Sequence, residues 1–86
     1  MELTFPNQSR SFDEARRGVR FTGYDGMFEV PFLIEAAALH ENGREASETS
    51  CLAAFDAARG SIHDVARQVY GGRRQTIYII SAADLH

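Results

Sequence analysis

Cys51, His40, His63 and His86 are the side chains in this sequence that could supply a nucleophile, a proton shuttle near neutral pH or a soft metal ligand. Cys51 falls in the first turn of a predicted helix, where the partial positive charge of the helix end favours the thiolate. A small thiol-dependent enzyme or sensor centred on Cys51 is therefore one reading. The same position lies in the middle of an apolar stripe, where a cysteine acts as a small hydrophobe, and core packing is the simpler expectation. No histidine stands at a spacing that makes it a base for Cys51, so only the fold could bring His40 or His63 near. The three histidines form no i, i+4 pair, and one cysteine gives no zinc signature. His63 and Arg67 share a helix column next to Asp64, which reads as a solvated face with weak pairs. No catalytic residue, metal ligand or cofactor site is expected, and an enzyme is not the favoured reading.

The nine basic residues are all arginine, the better fork for phosphate and carboxylate. The run Gly71-Gly72-Arg73-Arg74 could grip an anion, but it follows a helix, whose carboxyl end attracts cations and not anions. It matches neither phosphate-binding glycine pattern. A nucleic-acid accessory protein using surface arginines is a second reading, with Arg16 and Arg17 before the hairpin, Arg20, Tyr24 and Phe28 on it, and Arg73 and Arg74 near the end. The net charge of −3 disfavours it. So does the placement of Phe21 and Phe28 on the core face, which leaves Tyr24 as the hairpin's open-face aromatic. Charge is uneven along the chain. Residues 35–50 hold Arg44 against Glu35, Glu41, Glu45 and Glu48, whereas residues 51–86 are slightly basic.

The elements that position these groups follow from periodicity. Leu3-Thr4-Phe5 is a short extended candidate. Ser11 to Glu14 has the spacing of a capping box, with a short helical turn ending at Gly18. Val19 to Ile34 reads as a hairpin turning at Asp25-Gly26, with a four-residue loop, Tyr24 to Met27, favoured over a two-residue one because it aims the missing N–H of Pro31 away from the partner strand. In that register Val19, Phe21 and Gly23 share an apolar face with Phe28, Val30 and Phe32. Arg20, Thr22 and Tyr24 share the other face with Met27, Glu29 and Pro31. Pro31 has no N–H to donate, which marks its strand as an edge. Glu35 to Glu41 is a short helix closed by Asn42-Gly43, and Ser47 is a helix cap.

Glu48 to Tyr70 then reads as one long helix ended by Gly71-Gly72. Cys51, Phe55, Ala58, Ile62, Val65 and Val69 lie on one stripe, with Asp56, Gly60, Asp64 and Arg67 opposite. A stop at Gly60 is the competing reading, disfavoured because the stripe keeps its phase. Gln75 to Ile80 is a strand with Ile77 and Ile79 on one face and Tyr78 and Ile80 on the other. Ser81 to Asp84 is a second capping-box spacing.

The fold class is therefore α+β over residues 1–86 as a single domain. It is an antiparallel-rich sheet of three or four strands with a β-hairpin (about 19–34) and one long amphipathic helix (about 48–70) packed on one face. With Pro31 on an edge, the last strand is expected beside Val19–Tyr24. The start of the chain has no basic segment leading into an apolar run, and no stretch nears the length of a membrane span. A cytoplasmic protein is expected.

Two blocks of residues carry a resemblance. The first is Ser9-Arg10-Ser11-Phe12-Asp13, Val19-Arg20-Phe21, Gly23-Tyr24-Asp25-Gly26, Glu29-Val30 and Phe32. The second is Leu52-Ala53-Ala54-Phe55-Asp56, Ile62 through Tyr70, and Ala83-Asp84-Leu85. Together they resemble the short bacterial proteins grouped as domain of unknown function 1488, over essentially the whole chain. The resemblance implies a small α+β fold in a bacterial cytoplasmic protein, and no reaction, ligand or partner.

The favoured expectation is a non-enzymatic interaction or accessory module, able to homodimerise through an open sheet face or the last strand. Its candidate contact residues are Arg20, Thr22, Tyr24, Arg73, Arg74 and Tyr78. No membrane partner is expected.

Overall fold

The computed structural model describes residues 3–6, 9–39, 47–71 and 76–85. Strands β1 (Leu3–Thr4), β2 (Arg10–Asp13), β3 (Gly18–Asp25) and β4 (Phe28–Glu35) come first. Helices α1 (Ala36–Leu39), α2 (Glu48–Ala57) and α3 (Arg59–Tyr70) follow, then strand β5 (Tyr78–Ile80) and a 3₁₀ turn over Ala82–Leu85. The class is α+β, as expected.

The five strands form one sheet in which β3 and β4 are central. β1 and β2 lie end to end along the free edge of β3, both antiparallel to it. The sheet is thus four strands wide with one edge built from two pieces, which is where the expected three or four strands become five. The expected helical turn at Ser11–Glu14 is corrected by this arrangement. Ser11 to Asp13 pair with Arg20 to Gly18, and the reversal is the four-residue stretch Glu14–Arg17. Asp13 caps that turn by accepting from the Arg16 N–H at 3.0 Å. Arg17 ends it in the left-handed region at φ 52°. Its carbonyl accepts from Ala36 N–H at 2.8 Å and its guanidinium lies 5.2 Å from the centre of the Phe12 ring, contacts that offset the strain. Gly18 follows because β3 and β4 approach closely there: a Cβ would stand 2.5 Å from the Ile34 carbonyl oxygen.

The hairpin exists over the expected residues, but its turn is one residue later. Asp25 pairs with Phe28, leaving the two residues Gly26-Met27 as the loop in place of the expected four, Tyr24 to Met27. Gly26 supplies positive φ (63°) at the first loop position, the requirement of a II′ turn. The shift moves each pairing by two residues, so Phe21 faces Phe32 and Val19 faces Ile34, while every side chain keeps its expected face.

Pro31 pairs with Thr22. Counted from the two-residue loop, that pair is a non-hydrogen-bonded one, so the missing N–H is aimed away from β3. The last strand does not lie beside β3. β5 runs parallel to β4 and pairs with Phe32 to Ile34, starting one residue beyond Pro31. The proline marks a local edge and not the edge of the sheet, and the position beside β3 is already filled by β1 and β2. Of the expected strand Gln75–Ile80, only Tyr78–Ile80 pairs; Thr76 and Ile77 are bends, and Gln75 lies outside the described residues.

The expected long helix is two helices. The break is at Ala58 (φ −108°, ψ 14°), whose N–H reaches the carbonyls of Ala54 and Phe55 and whose carbonyl accepts from Ile62 N–H. The break costs one residue of helical geometry, so the apolar stripe continues across it with Cys51 and Phe55 on α2 and Ile62 and Ala66 on α3 all buried. Ser47 caps α2 as expected by accepting from Ser50 N–H at 3.1 Å. The expected cap at Asn42-Gly43 and the loop before Ser47 lie outside the described residues. At the far end Ser81 N–H donates to Asp84 Oδ2 at 2.9 Å, which fixes the expected terminal turn.

The core is one cluster between the helices and the near face of the sheet. Val19, Phe21, Val30, Phe32, Ile34, Tyr78 and Ile80 meet Cys51, Phe55, Ile62 and Ala66. Phe21 stacks on Phe32 (5.2 Å between centroids) and tilts against Phe55 (5.1 Å). Each of these aromatics contributes more than its area because offset and tilted ring pairs are favourable. Phe28, expected on this face, is 71 % exposed, because it closes the hairpin turn beyond the reach of the helices.

Gly60 stands in the first turn of α3 with open space where a Cβ would be. Gly60→Ala is expected to stabilise the protein by about 0.5–1 kcal/mol, through backbone entropy alone. A urea titration showing an unchanged or lower midpoint would contradict that.

Candidate functional site

Strand alternation sends one set of side chains away from the helices. Arg20, Thr22 and Tyr24 of β3 point to this open face, with Ser11 of β2, Glu29 and Pro31 of β4, and Ile79 of β5; Leu33 of β4 shares the face but is 2 % exposed, so the sheet is covered at that point. The first three are the sequence candidates that the fold does bring together. Arg20 is 53 % exposed along its side chain and its Nη1 lies 3.8 Å from Asp13 Oδ2. A depression of 290 Å³ opens beside it, where β2 stops short of β1. Its lining includes Ser9, Ser11, Arg20, Thr22 and Pro31.

Tyr78 does not belong to this surface. It is 2 % exposed and faces the core, with its ring 5.4 Å from Phe32 and edge-on to Tyr70 at 5.5 Å. The reason is pairing: Tyr78 sits beside Phe32, a core position, and Ile79 takes the open face at 40 % exposure. Arg73 and Arg74 lie outside the described residues, as do His40 and His86.

The sequence reading missed the hairpin tip. Met27 is 95 % exposed and Phe28 71 %, and Glu29 follows on the open face. Moving the turn from Asp25-Gly26 to Gly26-Met27 would have revealed it, since both residues then fall at the very end of the ribbon. Asp25 is tied back by the Tyr70 hydroxyl, which donates to Asp25 Oδ2 at 2.5 Å.

Several arginines are held by neighbours. Arg10 forms a two-pronged bridge to Asp56 (Nε to Oδ1 2.9 Å, Nη2 to Oδ2 2.8 Å), fastening β2 to α2. Arg59 adds a third bond at 2.6 Å to Asp56 and lies over Phe55. The Arg10 hydrogen bonds, with the Arg59 contacts, hold the Asp56 carboxyl below the usual carboxylate range. Arg67 reaches the Leu3 carbonyl at 3.2 Å, bonds Asp64 at 3.0 Å and lies over the Phe5 ring. Phe5 in turn stacks flat on His63 at 3.9 Å. These contacts bind the N-terminal segment to α3.

A family model described as a protein of unknown function (DUF1488) matches residues 3–81. The chain belongs to that family. No curated protein and no solved structure matches it. Family membership supplies no reaction, so the chemistry of this DUF1488 protein rests on its own side chains.

Cys51 is wholly buried in the core cluster. Burial pushes its thiol up, and the charge of Arg17 draws it back only in part, the opposite of what a nucleophile needs. Cys51 in the native protein is expected to resist a thiol reagent and to react at the rate of global unfolding. Labelling as fast as that of a free thiol would reverse the assignment. Among the described residues, no three His, Cys, Asp or Glu side chains gather as a metal site.

His63 is held below its ordinary pKa, first by burial against Phe5 and Phe21, then by Arg59 and Arg67; Asp64 acts in the opposite sense. The folded state therefore resists protonation, and the unfolded chain binds the proton first. Stability is full above about pH 6.5 and falls as pH drops below it. The urea midpoint should be lower at about pH 5.5 than at about pH 7.5. His63→Gln should flatten that slope; an equal slope in the variant would place its origin elsewhere.

Proposed function

We propose that this chain is a non-enzymatic interaction module, an accessory to another protein, working in the cytoplasm through the open face of its sheet and the hairpin tip. The observation that carries the reading is the pair Met27 and Phe28. Large apolar side chains elsewhere in the described residues are mostly withdrawn from water, yet these two stand adjacent and exposed at the end of the β3–β4 ribbon. Ile79 extends the apolar character to the far strand of the open face. Exposed apolar groups bordered by polar ones mark contact surfaces. No helix among the described residues is long and apolar enough to cross a membrane. The commitment of Arg10, Arg59 and Arg67 to carboxylates, rings and a carbonyl favours a protein partner over a nucleic acid.

The test is tagged purification from the native host, followed by native mass spectrometry. The variant Met27→Ser/Phe28→Ser/Ile79→Ser serves as the comparison. Species retained by the wild type and lost from the folded variant support the reading. Identical spectra, with wild type and variant both bare monomers, would remove it.

A further inference from the structure

The open face carries charge in an arrangement that fits itself. Its rows across β3 and β4 are Arg20 with Leu33, Thr22 with Pro31, and Tyr24 with Glu29; Leu33 is already covered within its own chain, so the surface offered is Arg20, Thr22, Pro31, Tyr24 and Glu29. Arg20 and Glu29 are both exposed and lie on either side of the central row, about 13 Å apart along the strands. We propose that this face packs on the same face of a second copy, the strands of the two copies running in opposite directions about a twofold axis above the Thr22–Pro31 row. Arg20 of each copy then lies against Glu29 of the other. The proposal rests on the open face being the contact surface, and it names the occupant.

Charge selects the direction. With the strands of the two copies running the same way, Glu29 would sit beside Glu29 and Arg20 beside Arg20, and like charges in contact oppose association. With the strands opposed, the overlapping rows of each copy hold one cation and one anion. Among the described residues the other charges of this face are Asp13 and Glu35, in the Gly18 row at the end of the ribbon; Asp13 Oδ2 lies 3.8 Å from Arg20 Nη1, so Arg20 is shared between Asp13 of its own copy and Glu29 of the other. The opposed crossing carries Asp13 and Glu35 past the overlap, over the partner copy's Gly26–Met27 turn. There the exposed Met27 gains cover. An isologous twofold contact of this kind is the commonest way for small proteins to associate.

The overlap of two sheets of this width and strand length buries on the order of 1,000 Å² in total, at the lower bound for a specific interface. Association in the micromolar range is the matching expectation.

Sedimentation velocity across low to high micromolar protein tests the proposal, with circular dichroism confirming that each variant is folded. Wild type should be a reversible dimer. Arg20→Glu and Glu29→Arg should each weaken association by about tenfold or more, because each places two like-charge pairs in the interface. Mixing the two single variants should restore dimers, since each then meets its complement. The double variant Arg20→Glu/Glu29→Arg should dimerise alone. A wild type that stays monomeric at high micromolar concentration overturns the second copy as occupant, yet leaves the interaction-module reading to its own test. A wild-type dimer indifferent to both swaps overturns this face and this crossing.

Discussion

Tyr78→Glu is expected to unfold the protein, whereas the same substitution one residue later, at Ile79, is expected to leave it folded. Tyr78 is 2 % exposed between Phe32 and Tyr70, and Ile79 is 40 % exposed on the far face of the same strand. A glutamate at position 78 must either carry a charge into the core or be protonated there, and it also forfeits the ring contacts. Burying a carboxyl without partners costs several kcal/mol, and truncating an aromatic in a packed core adds about 3–5 kcal/mol. Domains of this size hold roughly 5–10 kcal/mol in total. Circular dichroism at room temperature should show a largely unfolded chain for Tyr78→Glu and a native spectrum for Ile79→Glu. Two native spectra would mean that the register of β5 on β4 is wrong, since a one-residue slip exchanges the faces of these side chains.

Phe55→Ala carries the second large effect. The Phe55 ring is fully buried, tilted against Phe21 and covered by the Arg59 guanidinium. It joins α2 to the centre of the sheet, just before the break at Ala58. Removing it leaves a cavity bounded by β3, which is paired on both edges and cannot easily collapse inward. The expected loss is about 3–5 kcal/mol. For a domain of this size each kcal/mol lowers the melting temperature by roughly 4–8 °C, so a fall of at least about 12 °C should appear in a thermal melt. Asp64→Ala, at an exposed position of α3 whose partner is an exposed arginine, should move it little. A Phe55→Ala melt within a few degrees of wild type would show that the α2 contact with the sheet is not a principal source of stability.

The sequence by itself determined which faces of the elements are dry. Alternation in Val19–Ile34 placed Phe21, Val30 and Phe32 inward and Arg20, Thr22 and Tyr24 outward, and the period of Cys51, Phe55 and Ile62 placed the helical stripe. These readings survive a turn displaced by one residue and a helix broken at Ala58, because burial depends on side-chain period, which neither change alters. What only the tertiary structure decided is where the strands sit and where the ribbon ends. The same Ser11–Glu14 spacing suits a capping box or a strand leading into an Asp-capped turn. The edge of β3, which returns alongside after the four-residue turn Glu14–Arg17, selects the strand. Pro31 reads as a sheet edge from its missing donor, yet β5 joins that side one residue further on. Tyr78 and Ile79 are both apolar and adjacent, so local pattern gives them equal claim to the surface; pairing with Phe32 and Leu33 assigns one to the core and the other to the open face. Local periodicity is set by backbone geometry within a few residues, whereas strand order and register are set by contacts between distant segments, and those exist only once the chain has closed.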